Sequence, residues 1–104
     1  MGGALHHQLD GIVRFDEAGP VKTVFLESET LKAQVMGLEA GQLIPPCAMT
    51  RDVVFVILEG EGEVVTDGDR YPVRPSSWVL VPKETKTRSI EASTRMTILA
   101  MQTR

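Results

Sequence analysis

The sequence predicts an all-β fold, an antiparallel barrel or sandwich, on three observations. The chain of 104 residues divides into eight to ten short apolar stretches separated by Gly, Pro and Asp turn signals, which is typical of hairpin-rich β domains. Six apolar residues, Val53 to Leu58, follow one another without a polar break, as in a strand buried on both faces. No segment shows a convincing helical period with caps. We therefore expect a single all-β domain over residues 1–104, because this length supports one core and not two.

Strands are expected along most of the chain after a loose start. Residues 1–10 are Gly-rich and weakly patterned, so we expect a loose N-terminal segment. The predicted strands are, in order, Ile12 to Phe15, Val21 to Leu26, Leu31 to Leu38, Val53 to Leu58, Glu63 to Thr66, Arg70 to Val73, Trp78 to Val81, a short one at Ile90, and Arg95 to Gln102. Turn signals such as Asp67 to Asp69 separate them.

Alternation assigns faces on two of these strands, because successive side chains of a strand point to opposite sides. In Leu31 to Leu38, one face carries Leu31, Ala33 and Val35, and the other carries Lys32, Gln34, Met36 and Leu38. In the central strand, Val53, Phe55 and Ile57 share the face expected to line the interior, and Val54, Val56 and Leu58 point away. That second apolar face needs a cover, which predicts a homodimer.

Composition excludes several classes of partner. The formal net charge of −3 argues against nucleic acid and anionic membranes, since both need a basic face. A single cysteine cannot form an internal disulfide and fits a reducing compartment. The N-terminus lacks the basic start and apolar run of a signal peptide, and no apolar stretch approaches the ~20 residues of a membrane span. A cytoplasmic protein is expected.

Two stretches have the spacing of a known family. Gly41 and Gly60 bracket a segment that resembles the first motif of the cupins, G-x5-H-x-H-x3-E-x6-G, and residues 76–91 fit the second, G-x5-P-x-G-x2-H-x3-N. Pro82 keeps its expected type in the second motif. Ser76, Glu84, Thr87 and Glu91 occupy its Gly, Gly, His and Asn positions. The resemblance covers about residues 31–102 and implies a jelly-roll β-barrel of the RmlC-like kind.

The metal-ligand positions of the resemblance are all changed. Cys47, Met49, Val53 and Thr87 stand where the family usually has His, His, Glu and His. A valine coordinates nothing and a threonine hydroxyl is a weak ligand, so the usual site for a hard metal is expected to be absent. Cys47 and Met49 together are a sensible start to a Cu(I) site. The alternative is that Cys47 is a small buried hydrophobe and Met49 fills apolar space.

Other polar residues have a functional and a plain interpretation. Arg51 and Asp52 lie beside the mouth that the first motif implies, and Arg74 and Arg88 flank the second motif. Each could orient a ligand carboxylate or form part of a solvated rim. His6 and His7 could clip a metal, but two imidazoles alone make a poor site.

The leading hypothesis is a cupin that binds a small molecule without a metal cofactor and has a non-enzymatic or regulatory role. Its pocket is expected to be largely apolar and lined by Cys47, Met49, Val53, Phe55, Ile57 and Thr87. The alternative is a cupin-type enzyme, dioxygenase-like or isomerase-like, that uses a soft metal at Cys47 and Met49 or no metal. A third hypothesis is a purely structural dimerisation module.

Overall fold

Nine strands form two antiparallel sheets in the computed structural model, which describes residues 2–104. The strands are β1 Val21–Glu27, β2 Leu31–Leu38, β3 Leu43–Cys47, β4 Val53–Glu59, β5 Gly62–Thr66, β6 Asp69–Val73, β7 Trp78–Val81, β8 Arg88–Ala92 and β9 Met96–Thr103. One sheet has the order β1-β2-β9-β4-β7 and the other the order β3-β8-β5-β6. The predicted all-β jelly-roll fold is confirmed.

Two strand predictions were wrong, each for a local reason. Ile12 to Phe15 is not a strand; a 3-10 turn at Leu9–Gly11 precedes it, and the chain then crosses β2 at Gly37. A Cβ on Gly37 would lie 2.1 Å from the Arg14 carbonyl oxygen, so the missing side chain is what permits the crossing. Conversely, β3 was missed because it contains Pro45 and Pro46. It is an edge strand, where proline is tolerated.

The core lies between the two sheets and is aliphatic. Val53, Phe55 and Ile57 face it from β4, as predicted, and all three are buried. The outward side chains of the same strand are only half-buried by the chain itself, so the predicted cover of the outer face stays a prediction. Leu38, Ile57, Met96 and Ile98, with no exposed surface, fill the end of the barrel that we call the closed end.

Left-handed backbone marks all four motif positions where the cupin pattern has glycine. Gly41 and Gly60 have φ of +84° and +83°, which glycine adopts without strain. Ser76 and Glu84 keep the same conformation at 77° and 80° without being glycine, at a cost of roughly 1–2 kcal/mol each. Gly60 is also sterically required, because a Cβ there would lie 2.0 Å from the Arg95 carbonyl oxygen.

The N-terminal segment lies against the outside of the five-stranded sheet. Residues 2–8 are exposed and have no regular structure; Met1 lies outside the described residues. The His7 ring meets the Phe25 ring edge-on at 5.3 Å between centroids, and Leu5 and Leu9 border the same shallow apolar groove over β1, β2 and β9. Within residues 2–104, no helix is long and apolar enough to cross a membrane.

Candidate functional site at one end of the barrel

The inner face of the five-stranded sheet changes from apolar to polar along its strands. On β2, Met36 is buried, whereas Gln34 and Lys32, further along the same face, are partly exposed. The neighbouring strand β9 shows the same change from apolar to polar residues: Ala100 stands opposite Gln34, and Gln102 stands opposite Lys32. Paired residues of adjacent strands share a face. The polar ends of the two strands therefore meet at the end of the barrel opposite the closed end.

A small cavity of about 30 Å³ lies at this polar end. We call it the barrel mouth, and its lining residues are Lys22, Lys32, Gln34, Met36, Val53, Phe55, Arg88, Ala100 and Gln102. Three of the nine are cationic and two are amides, so the lining is polar and positively charged. A cavity of this size admits a head group and not a whole drug-sized ligand, which needs roughly 300–1,000 Å³.

Arg88 is the residue that β8 directs into the mouth. It shares a face with Ile90 and Ala92, both buried in the core. Its guanidinium carbon lies 5.6 Å from the centroid of the Phe55 ring, within the range of a cation–π contact. Its Nε is buried, and among residues 2–104 no group accepts a hydrogen bond from it. An unpartnered buried donor is uncommon in folded proteins and needs an explanation.

Arg70, on the same sheet, shows how a guanidinium is satisfied elsewhere in this molecule. It lies on the outer surface, and its Nη1 donates to Glu63 at 2.8 Å and to Glu91 at 3.2 Å. These hydrogen bonds raise the pKa of Arg70 above its ordinary value; the bond to Glu63 has the larger effect and the bond to Glu91 the smaller one. Arg88 forms no such ion pair in the part of the chain that the structure describes.

The other two cations of the mouth form no ion pair within residues 2–104, although Glu27 stands opposite Lys32 in the pairing of β1 with β2 and binds Arg104 at 3.0 Å. The ion pairs found within residues 2–104 are made by Arg70, Arg95 and Arg104. Lys22, Lys32 and Arg88 belong to none of these. Three positive side chains thus converge on one cavity of a chain whose formal net charge is −3. Charges of one sign in a cleft focus the local field and raise the concentration of the opposite ion there.

Solved structures of several proteins share this architecture. An RmlC-like cupin protein from Desulfovibrio desulfuricans is 29% identical, with a TM-score of 0.87 and 97% of each chain covered. The chain belongs to the cupin superfamily. An uncharacterised conserved protein with a double-stranded β-helix domain from Klebsiella pneumoniae is 15% identical, with a TM-score of 0.88, over 97% of this chain and 90% of that one. No protein-family model and no curated protein matches the sequence.

A larger enzyme also contains this fold. Salicylate 1,2-dioxygenase from Pseudoaminobacter salicylatoxidans, solved as an adduct with gentisate, is 21% identical with a TM-score of 0.76. The match covers 81% of this cupin but only 25% of the enzyme. This likeness is one of fold.

The structure places the sequence-predicted pocket residues in three environments. Val53 and Phe55 line the barrel mouth. Met49 and Ile57 are packed in the core instead. Cys47 is exposed and stands opposite Arg88 in the pairing of β3 with β8. Whether any of them contacts a ligand stays a prediction.

Thr87 lies outside the mouth, which corrects its predicted position in the pocket lining. It is exposed, and its backbone N–H donates to Asp67 Oδ1 at 2.8 Å. The motif spacing selected Thr87, but on β8 the inward face starts one residue later, at Arg88. Lys22, Lys32, Gln34 and Gln102 were missed altogether. The signal for two of them was present, since Lys32 and Gln34 share a face with buried Met36.

The residues at the cupin ligand positions do not fit a divalent metal. Within the described chain, no group of three or more His, Cys, Asp or Glu side chains is placed to hold a metal ion. For the soft-metal hypothesis, Cys47 is exposed whereas Met49 is packed in the core. Two other methionines could supply a third soft ligand: Met36 lines the barrel mouth, whereas Met101 lines the groove on the outer face of the sheet and is not placed to complete a site inside the barrel.

A larger concave surface lies outside the barrel and has a different character. This groove of about 700 Å³ runs between the edge strands β6 and β7. Tyr71, Trp78 and Leu80 are exposed along it, with Asp67 and Asp69 at one side. This groove combines apolar surface with carboxylates. None of its described lining residues has a buried polar side-chain atom without a hydrogen-bond partner. The barrel mouth is therefore the better candidate for a specific ligand site.

Proposed function

We propose that this cupin binds a small molecule at the barrel mouth and has a binding or regulatory role that needs no metal cofactor. The observation that carries the proposal is Arg88, which lines the cavity and whose buried Nε has no acceptor among residues 2–104. Leaving such a donor unpaired costs about 1–3 kcal/mol. A ligand acceptor at the mouth would offset that cost.

The lining favours binding over catalysis. Ligand sites combine apolar surface with a few convergent polar groups, and the mouth does so with Met36, Val53, Phe55 and Ala100 beside its cations and amides. General acid–base catalysis needs a group that gains or loses a proton near the working pH. The described lining holds no carboxylate, imidazole or thiol. The pocket is also more polar than the largely apolar one that the sequence predicted.

The alternative function is a cupin-type enzyme, and the likeness to a dioxygenase is the observation in its favour. That likeness is one of fold at 21% identity, and the metal positions here hold Cys47, Met49, Val53 and Thr87. Elemental analysis of untagged protein distinguishes the two functions. About one Mn, Fe, Ni or Zn per chain, retained in a variant that lacks His6 and His7, would contradict the metal-free proposal.

The binding proposal is tested by amide chemical-shift mapping with a fragment set containing neutral, cationic and anionic compounds. We expect the shifts to cluster at the mouth, on β2, β4, β8 and β9. Ala100→Val, which places two extra methyl groups against a 30 Å³ cavity, should abolish them while the protein stays folded. Shifts confined to the groove between β6 and β7, or unchanged binding by Ala100→Val, would contradict the proposal.

We also propose that the chain forms a homodimer through the outer face of β4 and β7. Trp78 and Leu80 are 62% and 46% exposed there, beside the half-buried Val54 and Val56. In the sheet, Trp78 pairs with Val56 and Leu80 with Val54, so the four form one apolar surface. Surfaces of this kind on small domains commonly mark a protein interface.

Analytical ultracentrifugation tests the dimer. We expect the wild-type chain to sediment as a dimer and Leu80→Ser to shift it towards 11.4 kDa. Leu43→Ser is the matched control, because Leu43 on β3 is also 46% exposed but belongs to the other sheet. A wild-type monomer at micromolar concentration would refute the proposal, as would equal effects of the two substitutions.

A further inference from the structure

We infer that the group recognised at the barrel mouth is a carboxylate, which the ligand inserts as its head. This inference rests on the proposed binding function and specifies the ligand's chemistry. Its basis is the charge of the cavity. Lys22, Lys32 and Arg88 all line it, and the lining residues include no acidic side chain to neutralise them. An anion would remove their mutual repulsion and complete the site.

The geometry of Arg88 favours a planar anion. Its guanidinium carbon lies over the Phe55 ring, 5.6 Å from the ring centroid. Its Nε is buried and has no acceptor among residues 2–104. Two parallel N–H donors on one edge of a guanidinium match the two oxygens of a carboxylate. The paired Arg70 shows that acidic oxygens satisfy this group elsewhere in the same chain.

The remaining lining residues suit the same ligand. Lys22 and Lys32 supply charge without a fixed geometry, and the amides of Gln34 and Gln102 supply neutral donors. The cavity of about 30 Å³ accepts a carboxylate and little more. The body of the ligand therefore lies at the rim, near Cys47, which stands opposite Arg88 in the register of β3 and β8.

The test compares each carboxylate with its neutral amide at constant ionic strength. Acetate, acetamide, benzoate, benzamide and inorganic phosphate are titrated into ¹⁵N-labelled protein, and the Nε–H resonance of Arg88 is followed with the backbone amides. That resonance is assigned by its loss in Arg88→Gln. We expect benzoate to shift it and benzamide to bind at least about tenfold more weakly, as expected when a charge-assisted hydrogen bond is lost.

Matched variants tie the effect to the mouth. Arg88→Gln should weaken benzoate binding by about tenfold to a hundredfold, whereas Arg70→Gln, which removes a paired guanidinium from the outer surface, should leave it unchanged. Arg88→Lys keeps the positive charge but removes the paired N–H donors of the guanidinium, so it should retain part of the affinity. Alkylation of Cys47, the chain's single cysteine, gives a second readout and should slow with benzoate but not with benzamide.

The outcomes separate this inference from the function on which it rests. Benzamide binding at the mouth as tightly as benzoate would overturn the carboxylate and leave the binding function standing. Phosphate binding more tightly than either carboxylate would likewise overturn it in favour of a different anion. If benzoate shifts neither Arg88 nor the mouth at tens of millimolar, the carboxylate is overturned. If no fragment binds at the mouth either, the proposed function also fails.

Discussion

The two ends of the barrel interior are built by the same strands and have opposite properties. At the closed end, Leu38, Ile57 and Ile98 are completely buried. At the mouth, the same inner face presents Lys32 from β2 and Gln102 from β9. The strand alternation is unbroken between them; only the residue type changes. Apolar packing and the proposed ligand site are thus separated along the length of each strand, not between different elements.

The two ends of the barrel also contribute to the stability of the fold in opposite ways. Burial of apolar side chains at the closed end stabilises the fold by roughly 25 cal/mol for each Å² removed from water. The mouth contributes a buried Nε without an acceptor and three converging cations, which oppose folding. A feature that destabilises the isolated chain, at the one end of the interior that leaves space, is best explained by a ligand that completes it.

The largest expected effect is loss of packing at the closed end. Ile57→Ala should lower the free energy of unfolding by about 2–5 kcal/mol, because it leaves a cavity in a fully packed region. The matched pair Val64→Ala and Val53→Ala sharpens the comparison. Val64 is completely buried, whereas Val53 borders the mouth and should lose less. Urea unfolding measures both, and an equal or larger loss for Val53→Ala would mean that the mouth is packed like the core.

The second-largest loss of stability is expected where the backbone is tightly packed near the closed end. Gly60→Ala should destabilise the fold well beyond the roughly 1–2 kcal/mol that a left-handed alanine costs, because its Cβ would meet the Arg95 carbonyl oxygen at 2.0 Å. Gly41→Ala is the control, since Gly41 has nearly the same φ and no atom within 4 Å of its Cβ position. Thermal unfolding that gave the same loss for both would show that conformation alone accounts for Gly60.

A substitution at the mouth should stabilise the protein, in contrast to the substitutions at the closed end. Arg88→Met keeps a long stem and removes the unpartnered donor, so we expect the free energy of unfolding to rise by about 1–2 kcal/mol. The loss of the contact with Phe55 reduces the gain but does not reverse it. The same variant should no longer bind benzoate. Unfolding of Arg88→Met at lower denaturant than wild type would show that Arg88 stabilises the fold.

The smallest effect concerns the turn that follows β7. Glu84 has a φ of 80° where the cupin motif has glycine, and Glu84→Gly should stabilise the protein by less than about 1 kcal/mol, since relief of strain is partly offset by a more flexible unfolded chain. Ligand binding should not change. The midpoint of thermal unfolding measures the gain, and a fall in the midpoint would mean that the Glu84 side chain makes a stabilising contact.

The fold was predictable from the sequence because turn residues and period-two alternation are local signals. The inward orientation of Val53 and Phe55 was predicted correctly for that reason. The site was only partly predictable, because charge at the mouth depends on which strands pair and in which register. Arg88 was named as one of four charged candidates, but nothing local distinguished it from Arg51 or Arg74. Lys22 and Lys32 come together only when β1 and β2 pair beside β9.

A crystal structure with 4-bromobenzoate tests the role of the mouth most directly, because bromine is located by its own anomalous scattering. We expect the carboxylate within hydrogen-bonding distance of Arg88 Nε and the bromine outside the mouth, since the cavity of about 30 Å³ has no room for the ring. The same crystals of Arg88→Met should show no bromine at this position. Bromine in the groove between β6 and β7, with Arg88 unchanged, would contradict a ligand site at the mouth.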